Sequence, residues 1–131
     1  MSFGESTSSE IERIATEIVD SAYKVHSTLG PGLLESVYSI CLAHELRMRG
    51  FVVDREVPVP VFYEGVKIDA GFRLDLLVNK LVVVETKAVL ELHPVFEAQV
   101  HTHLKLTNKR LGFLINFNVR LIRDGLKRVI N

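Results

Sequence analysis

Arg73-Leu-Asp-Leu-Leu-Val-Asn-Lys-Leu-Val-Val-Val-Glu85-Thr-Lys87 is the stretch on which the reading of the fold turns. Two aliphatic runs flank a short polar connection at Asn79-Lys80, which predicts two adjoining strands. Asp75, Glu85 and Lys87 stand among these aliphatic neighbours. Charges in such surroundings are costly unless they pair or engage a metal. Two carboxylates suit a hard divalent cation, and a lysine two residues after the second can stabilise an attacking water or a phosphate oxygen. The same residues also fit an ordinary hairpin with solvated charges on one face.

Strand parity separates the two readings. Glu85 and Lys87 share one face, and Val82, Val84 and Thr86 share the other. A two-residue loop at Asn79-Lys80 pairs Val78 with Leu81 and sends Asp75 and Glu85 to opposite faces. A three-residue loop, Asn79 to Leu81, pairs Val78 with Val82, sets Asp75 opposite Glu85, and sets Arg73 opposite Lys87. A bulge in either strand has the same effect. The metal reading requires this odd register.

Working outward, residues 1–8 are small and polar, the composition of a frayed end. Ser9-Glu-Ile-Glu12 reads as a capping box, and Ile11, Ile14, Ala15, Ile18, Val19, Ala22 and Val25 repeat at helical spacing as far as Leu29-Gly30. After Gly30-Pro31-Gly32 a second helix is predicted over Leu33 to Arg49, closed by Gly50. From Phe51 the period becomes two. Pro58 and Pro60 each remove a ladder donor, so this run reads as an edge or irregular strand. A longer strand follows over Val66 to Val78, then Leu81 to Ala88. A helix from Pro94 to Leu106 starts at His93-Pro94. Leu111 to Phe117 is an apolar strand, Val119 to Arg123 a short partner, and Leu126 to Asn131 a basic tail. A three-strand meander, a crossover helix and one or two further strands imply an α/β sandwich with a mixed sheet flanked by helices. No linker, repeat or low-complexity tract divides the chain, so residues 1–131 read as one domain.

Composition narrows the function. With 47% hydrophobic and 24% charged residues, the chain of 131 residues has the balance of a globular domain with a real core. Its one cysteine, Cys41, excludes a disulfide framework and a multi-cysteine zinc site. His101 and His103 are two apart on a helix and diverge, so zinc is not expected. No basic-then-apolar leader and no bilayer-length apolar run occur, which points to a soluble, cytoplasmic protein without a membrane partner. Net charge is zero, but residues 1–65 carry 5 Lys/Arg against 10 Asp/Glu and residues 66–131 carry 11 against 6. The basic excess lies in the half that holds Asp75, Glu85 and Lys87, where a polyanion would dock. Lys105, Lys109, Arg110, Arg120, Arg123, Lys127 and Arg128 are candidates for a phosphate-contacting rim, or for a plain solvated surface.

Several motifs in order carry a resemblance: Gly32-Leu-Leu-Glu35-Ser-Val-Tyr38, then Gly71-Phe-Arg-Leu-Asp-Leu-Leu-Val78, Val83-Val-Glu-Thr-Lys-Ala88, Gln99 to Lys105, Leu111-Gly-Phe-Leu-Ile-Asn-Phe117 and Asp124-Gly-Leu-Lys-Arg128. They resemble the GxxExxY protein family, which is similar to the PD-(D/E)xK nuclease superfamily. The resemblance implies a restriction-endonuclease-like fold. It also implies that Asp75 is the first-strand carboxylate, that Glu85 and Lys87 are the E-x-K pair, and that Glu35 is a further metal-binding acid. Gln99 resembles the glutamine of a helical Q-x-x-x-Y motif, with His103 standing where the tyrosine is expected. Leu74 stands where the literal motif has proline.

The expectation is a phosphodiesterase acting on DNA. Mg²⁺ or Mn²⁺ held by Asp75, Glu85 and Glu35 would activate water, Lys87 would assist, and Gln99 would lie nearby. The alternative is a weak or inactive nuclease fold serving as a binding or assembly module, as a homo-oligomer or with a partner protein. The Leu111 to Phe117 strand and the valine-rich edge strand would then offer pairing surfaces.

Overall fold

The protein is described from a computed structural model covering residues 3–131, with side chains from Ser8 onward. Of the segment expected to fray at residues 1–8, residues 1–2 lie outside the described residues, whereas Phe3 to Ser8 are helical, which corrects that expectation. Helix α1 spans Phe3–Leu29, so Ser9 lies within the helix and the Ser9/Glu12 pair does not mark its start. Helix α2 spans Glu35–Met48. Strands β1 (Val53–Tyr63), β2 (Val66–Val78) and β3 (Val82–Lys87) form the meander. Helix α3 (Pro94–Thr107) crosses to strand β4 (Leu111–Asn116), and strand β5 (Leu126–Ile130) closes the chain. The sheet runs β1-β2-β3-β4-β5 and is antiparallel except for the parallel β3/β4 pair. That pair needs a crossover, and α3 supplies it. Among the described residues, no helix is long and apolar enough to cross a membrane.

The core forms two layers. Ile14, Ile18, Ala22, Tyr38, Leu42 and Leu46 pack onto Leu76, Val78, Val82, Val84, Phe113 and Ile115. On the other face Val100 and Leu104 of α3 pack onto Leu74, Leu77, Val83, Leu114 and Val129. The β3 and β4 aliphatic runs are buried on both faces, the pattern of interior strands. For the same reason Leu111–Asn116 cannot serve as a pairing surface, since β4 lies between β3 and β5.

The final strand corrects the sequence reading. Val119 to Arg123 is not a strand. A short 3-10 turn covers Ile122–Gly125, and the supposed tail is β5. Asp124-Gly125 therefore leads into the strand and does not end it. A side chain on Gly125 would come within 2.1 Å of the Asn116 carbonyl oxygen, so glycine lets β5 start hard against β4. The basic residues read as a tail lie on the two faces of this edge strand, Lys127 towards α3 and Arg128 towards α1. Lys127 pairs with Glu97 at 3.8 Å and Arg128 pairs with Glu12, which removes both from a free basic rim.

Strand β1 is an edge strand, with a register shift between Val59 and Val61. Its alternating valines do not share one face. Val53 belongs to the α1/α2 layer, whereas Val57 and Val59 pack into the α3 layer. The switch falls at Glu56, whose φ of 54° lies in the left-handed region. On β2, Leu74 and Leu76 divide between the same two layers across Asp75. The paired strands thus change sides together at Glu56 and Asp75.

Candidate active site

The turn between β2 and β3 decides whether the charged residues can meet. Asn79 and Lys80 both have positive φ, 50° and 59°, and the Leu81 amide donates to the Val78 carbonyl at 3.0 Å. That is the backbone of a two-residue primed turn. Leu81 is an extra residue after it, and Val78 pairs with Val82, Leu77 with Val83 and Leu76 with Val84. The odd register is formed, by a two-residue turn plus one bulged residue.

Past Leu76 and Val84 the ladder gives way to a side chain. Asp75 Oδ2 accepts hydrogen bonds from the Thr86 amide at 2.9 Å and from Thr86 Oγ1 at 3.0 Å. The carboxylate thus takes the place of a strand partner, which holds Asp75 in a gap between β2 and β3. Glu85 is only 8% exposed, and its Oε1 is buried without a hydrogen-bond partner. Its Oε2 lies 3.7 Å from Lys87 Nζ. Burial, and then the neighbouring Asp75 carboxylate, push the Glu85 carboxyl up to about 8; Lys87 pulls the other way, while a hydrogen bond to Asp75 and the charge of Glu35 add to the rise. Lys87 is held between Glu85 and the face of Phe96, 4.6 Å from the ring centre.

Glu35 is the first residue of α2. Its place follows from the turn before it. The Tyr38 hydroxyl donates to the Gly30 carbonyl at 2.6 Å and accepts from the Leu33 amide at 3.1 Å. The Tyr38 ring is fully buried and stacked on Phe117, with centroids 4.7 Å apart. Tyr38 thus pins the Gly30-Pro31-Gly32 turn to the core and fixes the start of α2. The Glu35 carboxyl is raised by burial and by the charges of Asp75 and Glu56, against the pull of Lys87. Asp75, Glu85, Glu35 and Lys87 therefore sense one another's charge. Among the described residues, no three acids, histidines or cysteines already stand at metal-ligand spacing.

Gln99 sits on the exposed side of α3 and has no hydrogen bond to these acids. His103, one turn on, comes closer. Its ring stacks on Phe72 at 4.2 Å, and its Nδ1 is buried without a partner. Burial lowers its pKa, Asp75 opposes that shift, and Lys87 adds to it. His93 caps α3, accepting from the Val95 amide at 3.1 Å. His26 of α1 is buried and bonded to the Val119 carbonyl at 2.7 Å.

Two residues around these acids escaped the sequence reading. Asn116 is buried at the end of β4; its Oδ1 accepts from the Val89 amide at 3.0 Å, and its Nδ2 donates to the Val89 carbonyl at 2.9 Å. Together with the bond from the Phe117 amide to the Lys87 carbonyl at 2.9 Å, it fixes the chain as it leaves β3. The only sequence signal was an amide ending an apolar run. Glu56 gave no signal, because an acid on an exposed edge strand reads as solvated. It lines a cavity of about 260 Å³ together with Glu35, Ser36, Ser39, Asp75 and Thr86.

A profile of the PD-(D/E)XK nuclease superfamily matches residues 12–129. No curated protein and no protein of solved structure matches the chain. The matched span covers both helical layers and all five strands, whose mixed sheet with three helices is consistent with the restriction-endonuclease-like fold. The family suggests a phosphodiesterase of nuclease type. The chain belongs to the PD-(D/E)XK nuclease superfamily.

Proposed function

We propose that the protein is a divalent-cation-dependent nuclease acting on DNA, with Asp75, Glu85 and Glu35 holding Mg²⁺ or Mn²⁺ and Lys87 assisting at the reacting phosphate. The observation that carries this reading is Glu85, a buried carboxyl with an orphaned Oε1, beside a second carboxyl and an ammonium. Buried polar atoms are normally satisfied. An all-oxygen donor set with excess negative charge fits a hard cation, which offsets that charge and supplies Oε1 with a partner. When bound, such a cation adds positive charge at the phosphoryl oxygens and makes water a stronger acid.

The chain's own residues do the rest. Thr86 spends its amide and hydroxyl on Asp75 Oδ2 and so orients that carboxylate. Phe96 and Glu85 hold Lys87 Nζ at the end of β3, where it can offset charge developing on the phosphate or orient the attacking water. The expectation for Gln99 becomes a substrate contact from the exposed face of α3, since it does not join the acids.

Incubation of the purified protein with single-stranded, duplex and branched DNA, with and without Mn²⁺, tests the reading. Cleavage is expected only with the cation, and Asp75→Asn or Lys87→Met is expected to abolish it. Full activity in either variant would sink the assignment. A second reading, an assembly module built on a nuclease fold, draws on the hairpin at the end of β1 and β2, where Phe62, Tyr63 and Val66 are 65%, 67% and 59% exposed. A stable oligomer without cation binding at Asp75 and Glu85 would favour it.

A further inference from the structure

A nucleic-acid strand is a polyanion, whereas the groups assigned to the centre are mostly acids and the chain carries no net charge. Such a strand needs cations placed beside those acids to hold it. The fold sorts the basic residues read from the sequence as a phosphate rim. Lys105, Lys109 and Arg110 stand where α3 ends and β4 begins, at the opposite end of the parallel β3/β4 pair from Lys87. Lys127 and Arg128 are paired with Glu97 and Glu12. Arg120 and Arg123 remain. Both are exposed, and neither guanidinium has an ion-pair or hydrogen-bond partner among the described residues.

Their loop leaves β4 beside the centre. Asn116 pairs with Lys87, and the Phe117 amide donates to the Lys87 carbonyl at 2.9 Å. By chain length alone, the Arg120 backbone lies within about 14 Å of Asn116. The loop is also held from three sides: Phe117 stacks on Tyr38, His26 Nε2 bonds the Val119 carbonyl at 2.7 Å, and Ile122 is buried in the core. The two arginines therefore rise from a fixed backbone, which lowers the ordering cost of a contact. They line a cavity of about 640 Å³ with Tyr23, His26, Gly30 and Pro31, and no acid is among its lining residues. The segment from Gly30 to Glu35 thus joins two cavities of opposite charge, with Gly30 lining this one and Glu35 lining the acidic one.

We propose that Arg120 and Arg123 bind a backbone phosphate of the DNA strand at a distance from the scissile one, across the Gly30-Pro31 turn from the acids. The planar guanidinium fork matches a phosphate's oxygens and keeps its charge at every working pH. Tyr23, 44% exposed on the cavity wall, offers a ring on which the adjoining sugar or base rests. The subsite rests on the nuclease reading for the identity of its ligand. Arg120 and Arg123 are positioning residues: they hold the strand against the repulsion of Asp75, Glu85 and Glu35 and fix the path by which it reaches Lys87.

The test is fluorescence anisotropy of a fluorescein-labelled DNA duplex with the full chain, over a range of salt, in chelator and again with Ca²⁺. Combined Arg120→Gln and Arg123→Gln are expected to weaken binding about tenfold at low salt. The slope of log affinity against log salt should fall by about 2. Combined Arg120→Lys and Arg123→Lys keep the charge and should keep most of the slope. Combined Lys105→Gln and Lys109→Gln, at the far end of the sheet, should change neither quantity. With Mn²⁺, the arginine-to-glutamine variant is expected to raise KM about tenfold and leave kcat nearly unchanged. Circular dichroism and melting confirm that each variant is folded. Affinity and slope unchanged in the arginine-to-glutamine variant would overturn the subsite, as would an equal loss in the lysine variant or no binding by the wild type. Cleavage by the wild type alongside any of these results leaves the nuclease centre intact. Arginine-dependent binding without cleavage in Mn²⁺ would support the subsite and refute the catalytic reading.

Discussion

In the cation-free protein, Glu85→Gln is expected to stabilise the fold at pH 8 and to leave it nearly unchanged near pH 4. Burial, followed by the Asp75 carboxylate, raises the Glu85 carboxyl from 4.5 to about 8. In the folded chain this group therefore keeps its proton after the unfolded chain has released it. Its contribution to stability is complete below about pH 4.5 and is lost as pH rises towards 8. At about 1.4 kcal/mol per pKa unit, the ceiling on that loss is about 5 kcal/mol. Asp75 and Glu35 respond to the same charge and share the gain, so an effect of about 2–4 kcal/mol is expected. For a chain of this length, that is roughly 6–15 °C in Tm. Glutamine keeps the shape of the side chain and removes the charge. Urea unfolding of both proteins in chelator, from pH 4.5 to pH 8, provides the assay. The difference between them isolates Glu85, because the remaining titrating groups are common to both. Mn²⁺ should then reverse the order by stabilising the wild type more. A difference that does not grow between pH 4.5 and pH 8, or a variant that is less stable at pH 8, would refute the reasoning.

Three further outcomes follow from side chains that position the site. Tyr38→Phe keeps the stack on Phe117 but removes the hydroxyl that bridges Gly30 and Leu33; a loss of about 1–2 kcal/mol in urea unfolding is expected, with weaker Mn²⁺ binding because Glu35 starts the helix this turn fixes. Asn116→Ala strips the Val89 and Asn118 amides of their acceptor and leaves the Val89 carbonyl only the long bond from Asn118 Nδ2 at 3.4 Å, so about 2–3 kcal/mol should be lost and amide exchange over residues 88–93 should accelerate. Arg49 joins Glu17 and Asp20 of α1 to Glu45 of α2, at 3.3, 2.7 and 2.9 Å. Arg49→Met should cost about 1 kcal/mol at low salt, and less in 1 M NaCl. Hydrogen bonds from Arg49 and Lys24 lower the Glu45 carboxyl, so this contribution is present above about pH 4.5 and is lost as pH falls below it.

The parts of the fold legible in the sequence were those where one physical rule acts alone. Strand β2 was readable to the residue, because the glycine turn at Glu64-Gly65 and the asparagine turn at Asn79 bound one continuous run. Strand β5 was misplaced because Asp124-Gly125 marks a break without saying which side of it holds the strand. Only the approach of Gly125 to the Asn116 carbonyl distinguishes the two, and that is a contact between distant residues. Parity left two registers open for the β2/β3 hairpin. The protein resolves them with both devices at once, a two-residue turn and the bulged Leu81.

The same distinction separates the candidate residues that were legible in the sequence from those that were not. Asp75, Glu85 and Lys87 are charges placed where burial is forced by their neighbours, so their cost was visible from composition alone. Glu56 is a charge whose neighbours leave it exposed, and its meaning depends on one left-handed backbone angle that turns β1 from one core layer to the other beside Asp75. Glu56→Gly would relieve the strained φ while deleting the carboxylate, and should stabilise the apo fold slightly or leave it unchanged. Glu56→Gln keeps the strain and removes only the charge. If both variants weaken Mn²⁺ binding equally while their stabilities differ, the Glu56 charge and not the backbone angle is what supports the ion. A loss confined to Glu56→Gly would mean that the strained backbone matters and the charge does not.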